Sequence, residues 1–284
     1  MIDPTPAAAA RADRDPVRID TSAAHTSRVY NYLLGGDDNF AIDRQVAEQA
    51  FANYPGGLDA ARIDARANRA FLGRAVRYLA NEAGIRQFLD IGTGIPDAGN
   101  THALAAQAAP DARIVYVDND PIVLAHAHAL LSSVPDGAAA FVDGDMRLPR
   151  TILAQAATVL DLAQPVGIIL VGILHVIPDR DRPFDHVATL VDAVSPGSHL
   201  VVSHMTDDVE VDDMALVARR LDESMGSTYP PALRSRADTL RFFTGLDLVE
   251  PGLVSAPDWR PDGRAAHEDC PRPVPLLAGV ARKG

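Results

Sequence analysis

One cysteine, Cys270, stands in a chain of 284 residues, which excludes an internal disulfide framework and any cysteine-rich metal centre. It fits a reducing cytosol. No apolar run approaches the ~20 residues that a membrane-spanning helix needs; residues 166–177 are too few and read as a core strand with its exit loop. Positive charge is scarce: 26 Lys and Arg face 38 Asp and Glu, a formal net charge of −12. That balance argues against a nucleic-acid-binding surface. The N-terminus shows no positively charged start followed by an apolar core, so no secretion signal is predicted. No group of His, Cys and Asp has metal-ligand spacing, so no metal is expected. These absences leave an acidic α/β chain of the cytoplasm, without a membrane or nucleic-acid partner. At 47% hydrophobic it can bury one large core, or one core and a small accessory part.

What is present centres on Gln87-Phe88-Leu89-Asp90-Ile91-Gly92-Thr93-Gly94, followed by an alanine-rich helical segment from Asn100. Such an apolar run suits a parallel strand covered by helices on both faces. The glycines permit a tight turn and leave no Cβ between the main chain and a ligand, which would meet backbone N–H groups at a helix start. A dinucleotide fingerprint needs a third glycine three positions after the second, where this chain has Asp97. Asp90, at the end of the strand, suits a ligand with an ammonium group, such as the amino-acid end of S-adenosylmethionine (SAM).

Further strands are predicted at 113–118, 138–142, 165–171 and 199–203, alternating with helical stretches, which implies βαβ units and an open parallel sheet. Residues 148–162, 184–194, 211–224 and 239–244 read as helical. The runs 246–254 and 274–280 are expected to pair as an antiparallel edge. Upstream, Asp59–Asn81 is a long amphipathic helix with Ile63, Ala67, Phe71, Ala75 and Leu79 on one face. Its arginines at 62, 66, 69, 74 and 77 read as a solvated face. Met1–Asp20 reads as a disordered tail.

In open α/β sheets the ligand lies beyond the carboxyl ends of the strands. Asp90, Gly92, Thr93 and Gly94 fall there, as do Asp118 with Asn119, Asp145 with Met146, and Gly172. Asp118 can accept both ribose hydroxyls. Asp145 can accept the adenine amine, and the Met146 N–H can donate to a ring nitrogen. Singly, each acid reads as well as a helix cap or a turn; their recurrence after three consecutive strands favours the ligand. His175 and His204 follow strands at the same edge and are the candidate general bases.

Phe-Leu-Asp-Ile-Gly-Thr-Gly, Tyr-Val-Asp-Asn-Asp-Pro and Asp-Gly-Asp-Met-Arg resemble the nucleotide-binding motifs of class I SAM-dependent methyltransferases. Arg28–Phe40 resembles the start of a bacterial family known as S-adenosyl methyltransferase, formerly a domain of unknown function. Residues 170–175 and 242–246 are similar to that family's later motifs. The resemblance implies a Rossmann-like seven-stranded sheet with helices on both faces. It also implies SAM as cofactor, S-adenosylhomocysteine as product, and an acceptor that it does not name. Amino-directed nucleic-acid methyltransferases use an Asn/Asp-Pro-Pro-aromatic sequence after the fourth strand, and this chain lacks it, which favours a small-molecule methyl acceptor. A SAM- or S-adenosylhomocysteine-binding protein without chemistry is the alternative, and a nicotinamide-dependent oxidoreductase a third reading.

Arg28–Phe40 is expected to form a lid. Arg28 would pair with the methionine carboxylate and Tyr30 would flank the cofactor, with Tyr32, Asp38 and Asn39 facing the acceptor. The chain divides on this reading into a tail over 1–20, a helical cap over 21–84 and a methyltransferase core over 85–284, cap and core forming one unit.

Overall fold

The computed structural model describes residues 20–52, 54, 56–96, 99–131, 138–208, 223, 231–262, 270 and 273–284. Apart from Asp20 and Glu223, the expected tail over 1–20 and helix over 211–224 lie outside the described residues, as does Asp97.

Five strands run parallel: β1 (Gln87–Ile91), β2 (Arg113–Asp118), β3 (Ala139–Asp143), β4 (Gly167–Val171) and β5 (His199–Met205). The sheet continues with β6 (Asp247–Leu248), β7 (Val254–Ser255) and β8 (Leu276–Arg282), in the order β3-β2-β1-β4-β5-β8-β6, with β7 also paired to β8. The last strand is therefore not at the edge. It lies antiparallel against β5, with Val201 opposite Val280, and separates β5 from β6. Eight strands stand where seven were expected, because the run 246–254 is broken into two short pieces. Pro251, which has no N–H to give a ladder, sits between them.

Eight helices accompany the sheet among the described residues: α1 (Thr26–Leu34), α2 (Ala41–Ala50), α3 (Gly57–Asn81), α4 (Thr101–Ala108), α5 (Pro121–Leu131), α6 (Pro149–Ala156), α7 (Pro183–Asp192) and α8 (Arg236–Leu240). Successive strand residues point to opposite faces, and both faces are buried. Leu89, Ile91, Val115 and Val117 pack with α6 and α7. Phe88, Ile114 and Tyr116 pack with the second half of α3, with α4 and with Trp259. The first half of α3 instead joins α1 and α2 in a separate apolar cluster through Ala60, Ala61 and Ala65. One helix of the expected cap thus belongs both to the cover and to the sheet. No helix of the described residues is long and apolar enough to cross a membrane.

Candidate functional site

Strand order reverses where β1 lies between β2 and β4, so their carboxyl ends splay and leave a crevice at that point. A cavity of about 460 Å³ opens there, within the usual range for small-molecule sites of ~300–1,000 Å³. Its floor is the strand-end loops, and its roof is α1 and α3.

The glycine loop is held by the neighbouring strand. The Gly92 N–H donates to the Val117 carbonyl at 2.8 Å, and the Gly94 N–H to Asp118 Oδ2 at 2.8 Å. Both glycines have positive φ, 73° and 68°. A Cβ on Gly92 would overlap the Ile173 side chain, whereas one on Gly94 would stand in open space. Gly92 is thus required by packing, and Gly94 keeps the cavity floor clear.

Asp90 is 5% exposed and lines the cavity. Burial pushes its carboxyl up to about 6, although Thr101, whose hydroxyl donates at 2.6 Å, and the Arg69 guanidinium pull the other way. Burial also raises Asp118, against the N–H groups of Asp120 and Gly94 that bind its two oxygens. Each oxygen keeps further acceptor capacity. Asp145 lies below the usual carboxylate range: burial opposes this, but Arg147 prevails through contacts of 2.6–3.0 Å. Thr93, Asn119, Met146 and Gly172 complete this side of the cavity.

The roof repeats every third or fourth residue: Thr26, Val29, Tyr30 and Leu33 from α1, then Ala61, Asp64, Ala65, Asn68 and Leu72 from α3. The Tyr30 hydroxyl donates to the Ala65 carbonyl at 3.1 Å and accepts from Asn68 Nδ2 at 3.1 Å. Tyr54, buried beside α3, donates its hydroxyl proton to Asp64. Asp64, Asn68 and Arg69 were not singled out from sequence as site residues. The signal available was a carboxylate and an amide at i and i+4 on a helix face otherwise filled by alanine, Phe71 and Leu72. The arginines of α3 do not form one solvated face. Arg69 lines the cavity, and Arg74 is tied to the carbonyls of Trp259 and Ala256 at 2.7 and 2.6 Å.

Four of the expected ligand-facing residues do not line the cavity. Arg28 is 4% exposed and works inside the cover: it donates to the carbonyls of Asp20 and Ala23 and lies 3.6 Å from Asp120. Tyr32 is two residues from Tyr30, about 200° around the helix, so it points outward and donates to Glu48 at 3.0 Å. Asn39 is consumed in the turn after α1, donating to Asn31 and the Gly36 carbonyl and accepting from Arg44. Asp38 pairs with His126 at 3.3 Å. In place of these, His25 reaches the cavity and pairs with Asp120 at 2.9 Å, tying the cover to the loop after β2.

The two histidines also part ways. His175 is half-buried in the cavity wall; burial, then Arg234, lowers it to about 4. His204 is fully buried and is not in the cavity wall. Its Nδ1 lies 2.6 Å from the Met205 carbonyl and its Nε2 2.6 Å from Arg234, and burial followed by His175 lowers it to about 3. Both rings are neutral at pH 7. Among the described residues no group of three or more His, Cys, Asp or Glu is placed to hold a metal ion.

The geometry has counterparts. The profile of the S-adenosyl methyltransferase family matches residues 12–284. A crystal structure of a DUF574 family protein from Streptomyces avermitilis is 40% identical, covers 94% of this chain and all of its own, and superposes with a TM-score of 0.86. A candidate methyltransferase from Thermobifida fusca is 38% identical over 93% of this chain and 96% of its own, with a TM-score of 0.81. No curated protein matches closely enough to count as a relative. A strand-end cavity with a carboxylate at or just beyond the end of each of the first three strands, carried on a sheet shared with these structures, places the chain in the S-adenosyl methyltransferase family, whose members take SAM as methyl donor.

Proposed function

We propose that the chain methylates a small, largely apolar acceptor held under α1 and α3, and releases S-adenosylhomocysteine. The observation behind this reading is that one cavity has two unlike halves. Carboxylates and a glycine loop form one, while Val29, Leu33, Phe51, Leu72 and Met205 form the other. A cavity of about 460 Å³ suits a cofactor with a small molecule better than a polymer.

SAM, when bound, supplies a methyl group on a sulfonium, an electrophile that needs alignment and a dry site more than acid–base assistance. The residues present fit that group. Asp90, buried and costly to ionise alone, is stabilised by an ammonium. Arg69 takes the carboxylate role expected of Arg28. Asp118 accepts from the ribose and Asp145 from the adenine amine, with Gly94 leaving space above the loop. His175, neutral, orients the acceptor by a hydrogen bond, while His204 and Arg234 position the loop that carries it. The cover formed by α1 and α3 excludes water.

Titration calorimetry with SAM and with NAD tests the cofactor half: SAM should bind and NAD should not. Release of S-adenosylhomocysteine on adding a metabolite extract tests the transfer. SAM binding without any turnover across acceptor fractions would instead support a binding protein.

A further inference from the structure

The α3 wall of the cavity presents two hydrogen-bond acceptors where the apolar half begins. Asp64 is 7% exposed and Asn68 3% exposed, and both line the cavity. Four positions apart, they project from one face of the helix. The orientation of Asn68 is fixed by its neighbour. Tyr30 gives its hydroxyl proton to the Ala65 carbonyl, so its oxygen must accept from Asn68 Nδ2. That leaves Asn68 Oδ1 buried, with no donor reaching it among the described residues. A buried acceptor is normally satisfied, and one that is not calls for an explanation such as a ligand. Tyr54 donates to Asp64 Oδ2, which makes Asp64 an acceptor as well.

We propose that Asp64 and Asn68 together recognise the amino group of an apolar amine, and that Asp64 takes a proton from it, making this an N-methylation site. The proposal rests on the methyl-transfer reading of the same cavity. A hydroxyl has one hydrogen and serves one acceptor, whereas an ammonium has three and serves both. The carboxylate attracts the cation, and the apolar side chains of the roof take its body. Beside the apolar side chains that line this half of the cavity the ion pair neutralises, the proton passing from nitrogen to Asp64. The freed lone pair forms the N–C bond as the methyl C–S bond breaks, with that electron pair remaining on sulfur. The methylated amine carries the positive charge away, and Asp64 returns its proton to solvent as the product leaves.

The test is calorimetric titration of 2-phenylethylamine, and of its isostere 2-phenylethanol, into the full chain saturated with S-adenosylhomocysteine at pH 7.5. The wild type should bind the amine at least tenfold more tightly than the alcohol. Asp64→Asn should erase that preference while keeping S-adenosylhomocysteine affinity within twofold, which also shows that the variant is folded. If Asp64→Asn does not fold, Asn68→Asp carries the test: a second carboxylate should raise amine affinity, and no gain overturns the proposal. Equal binding of amine and alcohol by the wild type, or an undiminished preference in Asp64→Asn, overturns it too. A wild-type chain that binds no S-adenosylhomocysteine overturns the methyl-transfer reading, and the amine proposal with it.

Discussion

Arg234 Nη1 lies 2.6 Å from His204 Nε2, and the other ring nitrogen lies 2.6 Å from the Met205 carbonyl. A guanidinium can only donate, so Nε2 accepts and Nδ1 carries the proton: His204 has one tautomer and no site left for a substrate proton. The same guanidinium donates to the carbonyls of Leu174 and Ile177 and to Asp179, flanked by the rings of Phe184 and Phe242. It therefore holds the loop that carries His175. Replacing Arg234 with Met strands two buried carbonyls, and should cost roughly 3 kcal/mol or more of unfolding free energy. Urea unfolding checks this; a loss below about 1 kcal/mol would show that the clamp is not structural.

Asp90→Asn should stabilise the ligand-free protein and weaken SAM binding. The folded carboxyl titrates at about 6 against an ordinary 3.8, so below 3.8 both states are protonated and no penalty applies. As pH rises from 3.8 through 6, the unfolded chain ionises first and wild-type stability falls. Above 6 the penalty is complete, of the order of 3 kcal/mol at about 1.36 kcal/mol per decade. Thermal melts of the ligand-free variant at pH 4 and pH 7.5 should show a gain over wild type at the higher pH only. A gain of equal size at both values would mean that the carboxylate charge is not its source.

Asp118→Ala should lower SAM affinity on the order of tenfold or more, since it removes charge-assisted hydrogen bonds worth roughly 1.5–3 kcal/mol each. It also frees the Gly94 and Asp120 N–H groups, loosening the glycine loop. Asp145→Ala should cost less, because Arg147 already occupies part of that carboxylate. Calorimetry on both variants decides; wild-type affinity in the two would remove them from the cofactor site.

If α1 covers the bound cofactor, SAM should slow amide exchange over residues 26–34, where Tyr30 and Leu33 face the cavity. Residues 37–40, held by Asn39 and Arg44 whether or not ligand is present, should change little. Mass-spectrometric exchange with and without SAM reads this directly. Identical exchange over 26–34 would mean that α1 is a fixed wall.

The parallel strands were legible because they are apolar runs, the first four closed by Asp or Gly, a pattern that local sequence carries. The floor of the cavity was legible for the same reason: Asp90, Asp118 and Asp145 lie at or just beyond the carboxyl ends of strands. The roof was not. Tyr30 and Tyr32 look equivalent in sequence, and only the helical turn between them sends one inward. Arg28 and Arg69 are both plausible partners for a carboxylate, and their separation depends on which helix crosses Asp90, a tertiary fact. The polar variety of residues 31–44 marked a turn that satisfies itself through Asn31, Asn39 and Arg44. The insertion of β8 between β5 and β6 follows from non-local pairing, which alternation in sequence does not encode.

Because α3 spans both apolar clusters, its two halves answer to different demands. The second half, around Phe71, Ala75, Val76 and Leu79, is fixed by close packing against the sheet, where small changes in volume are costly. The first half packs Ala60, Ala61 and Ala65 against α1 and α2, and it also borders the cavity, with Asp64 and Asn68 as its polar positions there. A single rod is thus fixed by the sheet at one end and lines the cavity at the other. With an acceptor under α3 as proposed, changes at Asp64 and Asn68 would alter its preference without the sheet being asked to repack.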